Sequence, residues 1–176
     1  TASASDSTTD TQSVTVSADT TTTIADNTSY VISSAGTYTF TGTATNSSII
    51  VSDDVSGQVT VNLDNVNITN SAPAISSQGL ATVLLATSGT NNITSTSSVG
   101  INVSGDLNFS GDGYTAIASG SGSNGIYGDT VTIESGTYVI SSGSDGIEAT
   151  TAINLLGGDI TIIAGGQGMA TIDTEN

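Results

Sequence analysis

The 176-residue chain contains no lysine, arginine, histidine, cysteine or tryptophan. Each absence removes a class of function. Without a cation nothing can neutralise phosphate and release its counterions, so nucleic acid is excluded as a partner. An anionic membrane surface is disfavoured for the same reason. Without cysteine, no disulfide staples the fold or reports the compartment. No apolar run approaches the ~20 residues of a membrane span, and no stretch shows the basic-then-apolar pattern of a signal peptide, so membrane insertion is not expected. The chain begins at Thr1 without a methionine. That suggests a processed, exported product, and an extracellular or cell-surface location is the expectation.

What remains is acid, hydroxyl, amide, glycine and aliphatic. Thirteen Asp and three Glu give a net charge of −16. High net charge with few aromatics can mark a disordered chain. Here the aliphatics recur at a fixed interval, which disorder does not predict. Ser-Asn-Gly-Ile (123–126) is answered by Ser-Asp-Gly-Ile (144–147), and a third pass opens with Gln-Gly-Met at Gln167. A period of this size marks a solenoid.

Taking the residue after each such turn as an anchor, anchors fall at Ile50, Ile75, Ile101, Ile126, Ile147 and Met169. A second alternating segment follows each of the first five, at Val59/Val61, Val83/Leu85, Leu107/Phe109, Val131/Ile133 and Ile153/Leu155. A third apolar position recurs at Ile68, Ile93, Ile117, Ile140 and Ile162. Inward apolar residues alternating with outward polar ones over short segments describe strands. The spacing therefore predicts an all-β fold, a single-stranded parallel β-helix (β-solenoid) with three short strands per coil and 21–26 residues per coil. Stacked coils lie ~4.8 Å apart, so equivalent side chains sit directly above one another. Residues 28–176 are assigned to this solenoid, and 1–27 to a Ser/Thr-rich N-terminal segment.

Open strand edges at the ends of such a fold are templates for pairing. No segment reads as a capping helix. The N-terminal segment carries spare alternation at Val14 and Val16, and the last coil stops just beyond Met169, near Ile172. A donated N-terminal strand completing an unfinished coil of another copy would make a homopolymer.

The carboxylates recur near corners, where stacking would line up like charges. Repulsion at ~5 Å is on the order of 1 kcal/mol even in water. A hard divalent cation would relieve it, and Ca²⁺ takes oxygen ligands from carboxylates, amides and carbonyls. Asp145 and Glu148, with Asn124 one coil earlier, form the leading candidate. Asp129, Asp106 and Asp112 are further candidate ligands. Solvated turn residues would show the same Asp-Gly pattern.

Gly-Ser-Asn-Gly-Ile-Tyr-Gly-Asp (122–129), Ser-Gly-Ser-Asp-Gly-Ile-Glu-Ala (142–149) and Gly-Gly-Asp-Ile-Thr-Ile (157–162) resemble a bacterial cell-surface family of right-handed parallel β-helices. The similarity covers roughly residues 100–170. The resemblance implies carbohydrate binding, with Ca²⁺ at coil corners. In the family's Asp-Asp-Gly-Ile-His-Ala-Asp core, Asp145 matches the second Asp, while Ser144, Glu148 and Thr150 replace the first Asp, the His and the final Asp. Tyr114, Tyr127 and Tyr138 are the candidate sugar-stacking residues. Catalysis is not expected: the related lyases resemble folds with a cationic base, and no carboxylate pair here must face a cleft. Two readings result: an extracellular, calcium-stabilised filament subunit, and alternatively a polysaccharide-binding module of the cell surface.

Overall fold

The structure, a computed structural model, describes residues 11–172. Every regular element among them is a strand, and neighbouring strands pair in parallel. The chain winds through about six turns of about 23 residues, forming a three-sided β-solenoid. The first side is built from Gln12–Thr15, Thr28–Ile32, Ser48–Val51, Ile75–Ser77, Ile101–Val103 and Met169–Thr171, with the leading halves of Ile126–Ile133 and Ile147–Leu155. The trailing halves of those two long strands belong to the second side, beside Thr82–Ser88 and Leu107–Gly111. Thr90–Ser95, Tyr114–Ala118, Thr137–Ser142 and Asp159–Ala164 lie on the third.

The anticipated apolar triplets are interior columns. On the second side Val59, Val83, Leu107, Val131 and Ile153 stand in register, as do Val61, Leu85, Phe109, Ile133 and Leu155. On the third, Ala44, Ile68, Ile93, Ile117, Ile140 and Ile162 do the same. Each fully buried aliphatic contributes roughly 1.5–3 kcal/mol. A coil cannot cover its own apolar face, so stability is a sum over neighbouring coils. Two edge-on aromatic pairs thicken the core, Tyr30 on Phe40 at 5.8 Å and Phe109 on Tyr138 at 5.3 Å between ring centres.

The first-side column runs Val14, Tyr30, Ile49, Ile75, Ile101, Ile126, Ile147, Met169. This corrects one anchor. Ile49, not Ile50, occupies the interior, and Ile50 pairs with Ser76 on the outer surface. The physical reason is strand alternation. With Ile49 inward, Val51 is inward too; with Ile50 inward, both would face water.

The N-terminal segment is used by its own chain. Gln12–Thr15 pairs with Thr28–Val31, and Thr21–Thr23 with Thr39–Thr41. Val16 is buried, whereas Val14, at the end of its column, is exposed. Residues 1–10 of the Ser/Thr-rich N-terminal segment lie outside the described residues, as do residues 173–176 at the other end.

Polar groups inside the prism are almost all satisfied. Buried Asn91 accepts the Val66 N–H at 2.9 Å and donates to the Ser88 carbonyl at 3.1 Å, bracing the corner between the second and third sides. Among the described residues the exception is the Ser77 hydroxyl, which is buried without a partner.

Candidate functional site

The first side is narrow. From Ile49 onward its strands run inward, outward, inward, so each of those coils shows one outward side chain there. Read up the axis, the outward column is Val31, Ile50, Ser76, Asn102, Tyr127, Glu148, Ala170. It passes from apolar to polar along the molecule, with one aromatic ring between an amide and a carboxylate. Tyr127 is half-buried and points outward because its strand neighbours Ile126 and Gly128 are buried.

One edge of this column is a side-chain ladder. Asn124, Asp145 and Gln167 each stand two residues before an anchor. The Asp145 N–H donates to Asn124 Oδ1 at 3.1 Å, and the Gln167 N–H to Asp145 Oδ1 at 2.6 Å. The Asn124 amide also donates to Glu148 Oε2. An Asn or Asp here therefore replaces the acceptor that a turning backbone cannot supply to the coil above. Gly125 follows Asn124 because the ladder is tight: a Cβ there would lie 2.5 Å from Ile140 Cγ2 and 2.7 Å from the Gly146 carbonyl oxygen.

The opposite edge is built by a bulge. Register slips between Gly128, which pairs with Ala149, and Thr130, which pairs with Ala152. One residue, Asp129, then faces two, Thr150 and Thr151. Both hydroxyls donate to Asp129 Oδ1, Thr151 at 2.6 Å. These bonds favour the ionised carboxylate and hold its pKa below the usual 3.8, against a smaller opposing effect of desolvation.

The structure thus gathers Asn124, Asp145 and Glu148 at one edge of the first side, Asp129 at the other, and Tyr127 between. Asp106 lies exposed at the same kind of corner one coil earlier, and Asp112 is exposed at the corner between the second and third sides. Tyr114 is on the third side, 41% exposed, paired with Thr90 and Thr137. Tyr138 is fully buried against Phe109, and its ring offers no face to a ligand. Burial raises its pKa above the usual 10.0, partly opposed by the Thr87 hydroxyl. The candidate assembly residues are at the two ends: Val14 and Val16 on the first coil, and Ile172 half exposed after the last strand, its N–H bonded to the Ala149 carbonyl at 2.9 Å.

At this corner the side-chain oxygens open to a hard cation are those of Asp145 and Glu148. Ca²⁺ takes six to eight oxygens. Here the corner has two carboxylates, and the amide turns its N–H toward Glu148 and its oxygen toward backbone. Among the described residues no three acidic side chains are grouped to hold a metal.

Asn102 and Thr151 were not singled out by sequence reasoning, and Gln167 entered it only as the opening of the third pass. Asn102 and Gln167 carry a usable signal, since they stand at fixed offsets from the anchors Ile101 and Met169, one after and two before. Thr151 carries none, because its role depends on the bulge.

The fold and this surface define a class: a β-solenoid with a narrow polar side on which one tyrosine is flanked by hydrogen-bonding side chains. A family model described as a carbohydrate-binding domain-containing protein matches residues 25–176. The chain belongs to that family. No curated protein and no solved structure gives a significant match.

Proposed function

We propose that this chain is a non-catalytic module that binds a polysaccharide at the cell surface or outside the cell, with Tyr127, Asn102 and Glu148 as its contacts. The observation that carries this reading is the outward column on the first side. A sugar ring has an apolar face of C–H groups and a rim of hydroxyls. A tyrosine ring supplies flat, amphipathic contact area for the first. A carboxylate accepts from hydroxyls, and an amide both accepts and donates, which suits the second. Asn102, Tyr127 and Glu148 occupy three consecutive coils, a rise of about 10 Å at ~4.8 Å per step, so one extended glycan could touch all three. Glu148 is held in advance: Asn124 fixes it, and the ladder fixes Asn124. Preorganisation of this kind lowers the ordering cost of binding. Membership of the carbohydrate-binding family supports the same reading.

The test is binding to a panel of soluble and insoluble polysaccharides by wild type and Tyr127→Ala. The expected result is retention of wild type on at least one neutral polymer and about a tenfold loss in the variant, of the order of removing one aromatic contact. Binding that survives unchanged in Tyr127→Ala would remove this column from the account.

Assembly end to end is a second reading, favoured by one observation. In the last described coils Leu155 and Met169 are exposed and, with Ile153, Ala170 and Thr171, line a hollow of about 360 Å³. Against strand donation stands the pairing of Gln12–Thr15 with the chain's own Thr28–Val31. Sedimentation velocity decides this reading: concentration-dependent growth supports it, and a single monomeric species across a hundredfold range removes it.

A further inference from the structure

We infer that copies of this chain stack head to tail, the first coil of one seated on the last coil of another, with Val14 over Met169 and Thr15 beside Ala170. This rests on the end-to-end reading above and adds polarity and register to it. The first ground is the strand edges. Among the described residues Gln12–Thr15 pairs with Thr28–Val31 alone, and Thr21–Thr23 with Thr39–Thr41 alone. At the other tip Met169–Thr171 pairs with Ile147–Ala149 alone, and Asp159–Ala164 with Thr137–Ser142 alone. Each tip therefore ends in strands with one edge open to pairing. Strand donation is not needed, because Gln12–Thr15 keeps its own partner and offers the edge that faces away from it.

The second ground is the interior columns, which are apolar at both ends. Val14 opens the first-side column at 40% exposed, and Met169 ends it at 46%. Each would be interior if the column continued. The two tips also differ in size. The first coil takes 16 residues from Val14 to Tyr30, and the last takes 22 from Ile147 to Met169. The narrow tip ends in small side chains: an added Cβ on Gly36 would lie 2.9 Å from the Ala18 Cβ, so Ala18 heads the column of Gly36, Val59 and, at the far end, Ile153. The wide tip ends in the hollow of about 360 Å³ beside Ile153, Leu155 and Met169. A narrow coil presenting Val14 and Ala18 thus meets a wide one that leaves Met169 and Ile153 incompletely covered. Two last coils face to face would set hollow against hollow and run their strands antiparallel. Head-to-tail contact keeps every strand parallel, and along one axis it does not close on itself.

The experiment uses the full chain, which has no cysteine of its own. Thr15→Cys with Ala170→Cys puts a thiol at each end of the outward first-side column, seven coil steps apart. At ~4.8 Å per step that is about 34 Å, so no disulfide can form within one chain. Between stacked copies the two are one step apart, within the reach of a disulfide. Ser13→Cys with Ala170→Cys is the out-of-register control, about 8 Å apart in the same stack. Copies this acidic repel one another, so the work is done at about 0.5 M salt, where the Debye length is well below 10 Å. Under mild oxidation the in-register pair should give a disulfide-linked ladder of trimers and longer, at least tenfold more abundant than from the control pair. Either single-cysteine variant should stop at the dimer. Val14→Asp puts a carboxylate into the apolar seat and should weaken association at least tenfold by sedimentation velocity, with Tm little changed because the side chain is exposed in the monomer. Concentration-dependent growth with equal cross-linking by both pairs, or with none, overturns the register while leaving end-to-end assembly standing. Association undiminished in Val14→Asp overturns it too. Wild type that stays monomeric across a hundredfold concentration range overturns the end-to-end reading itself.

Discussion

Ser77 gives the sharpest test of the interior columns. It stands in register between Val51 and Val103, inside the first side, fully buried. Its hydroxyl has no hydrogen-bond partner. An orphaned buried hydroxyl costs about 1–3 kcal/mol of desolvation. Ser77→Ala removes that cost and leaves a void the size of one oxygen, worth about 0.3 kcal/mol at ~24 cal/mol per Å³. The net expectation is a gain of about 1–2 kcal/mol. For a chain of this length that raises Tm by about 2–8 °C. Ser95→Ala is the control. Ser95 is as buried as Ser77, but its hydroxyl accepts the Ser98 N–H at 3.0 Å and donates to the Ser71 carbonyl at 3.4 Å. Its removal strands the Ser98 N–H and should cost about 1 kcal/mol. Thermal unfolding followed by circular dichroism at a fixed scan rate reads both. Opposite signs are expected for two serines that look alike in sequence. A drop in Tm for Ser77→Ala would refute the reasoning, since it would show that the hydroxyl is satisfied.

Three further outcomes follow from the same geometry. Gly111→Ala should destabilise by several kcal/mol or prevent folding, because φ there is 110° and a Cβ would collide with the Thr87 carbonyl; expression and Tm against a Gly168→Ala control, where a Cβ meets nothing and φ is not positive, check it. Ile101→Ala, in mid-column and fully buried, should cost about 2–5 kcal/mol and raise hydrogen exchange most in the strands it stacks on, at Ile75 and Ile126. The Asp129 carboxyl is held below its ordinary value, so the stability it contributes is fully present above about pH 3.8 and is lost as pH falls through the lower folded value. Replacing Thr150 and Thr151 by Val should move its titration, followed by carboxyl NMR, back up toward that ordinary value; an unmoved titration would show that the two hydroxyls do not set it.

The interior of the solenoid was legible because its columns use residues that differ from their surroundings. Ile68 and Ile93 announce themselves against Asn and Thr neighbours, and Ile117 and Ile140 follow from counting. Counting failed where two candidates adjoin, at Ile49 and Ile50, and only the partner Val51 breaks the tie. It also missed the first coil. Val14 to Tyr30 and Tyr30 to Ile49 are shorter steps than those that follow, so no common period links them, although the same column contains all three. On the surface, the Asn124–Asp145 step was visible as a repeated turn. What the side chains do there was not: the ladder needs the position of the next coil's N–H, and the Asp129 contacts need a bulge that depends on how two strands slip past one another. Tyr138 shows the converse. In sequence it resembles Tyr127, but strand alternation places it inside.

The most direct measurement is the dissociation constant of wild type and of Tyr127→Ala for one bound polysaccharide, by titration calorimetry, with Tyr114→Ala as the matched loss of an exposed ring on a different side. A loss of about tenfold for Tyr127→Ala with little change for Tyr114→Ala is the expected outcome. A larger loss at Tyr114, or equal affinities for all three proteins, would contradict the assignment of the first side as the glycan surface.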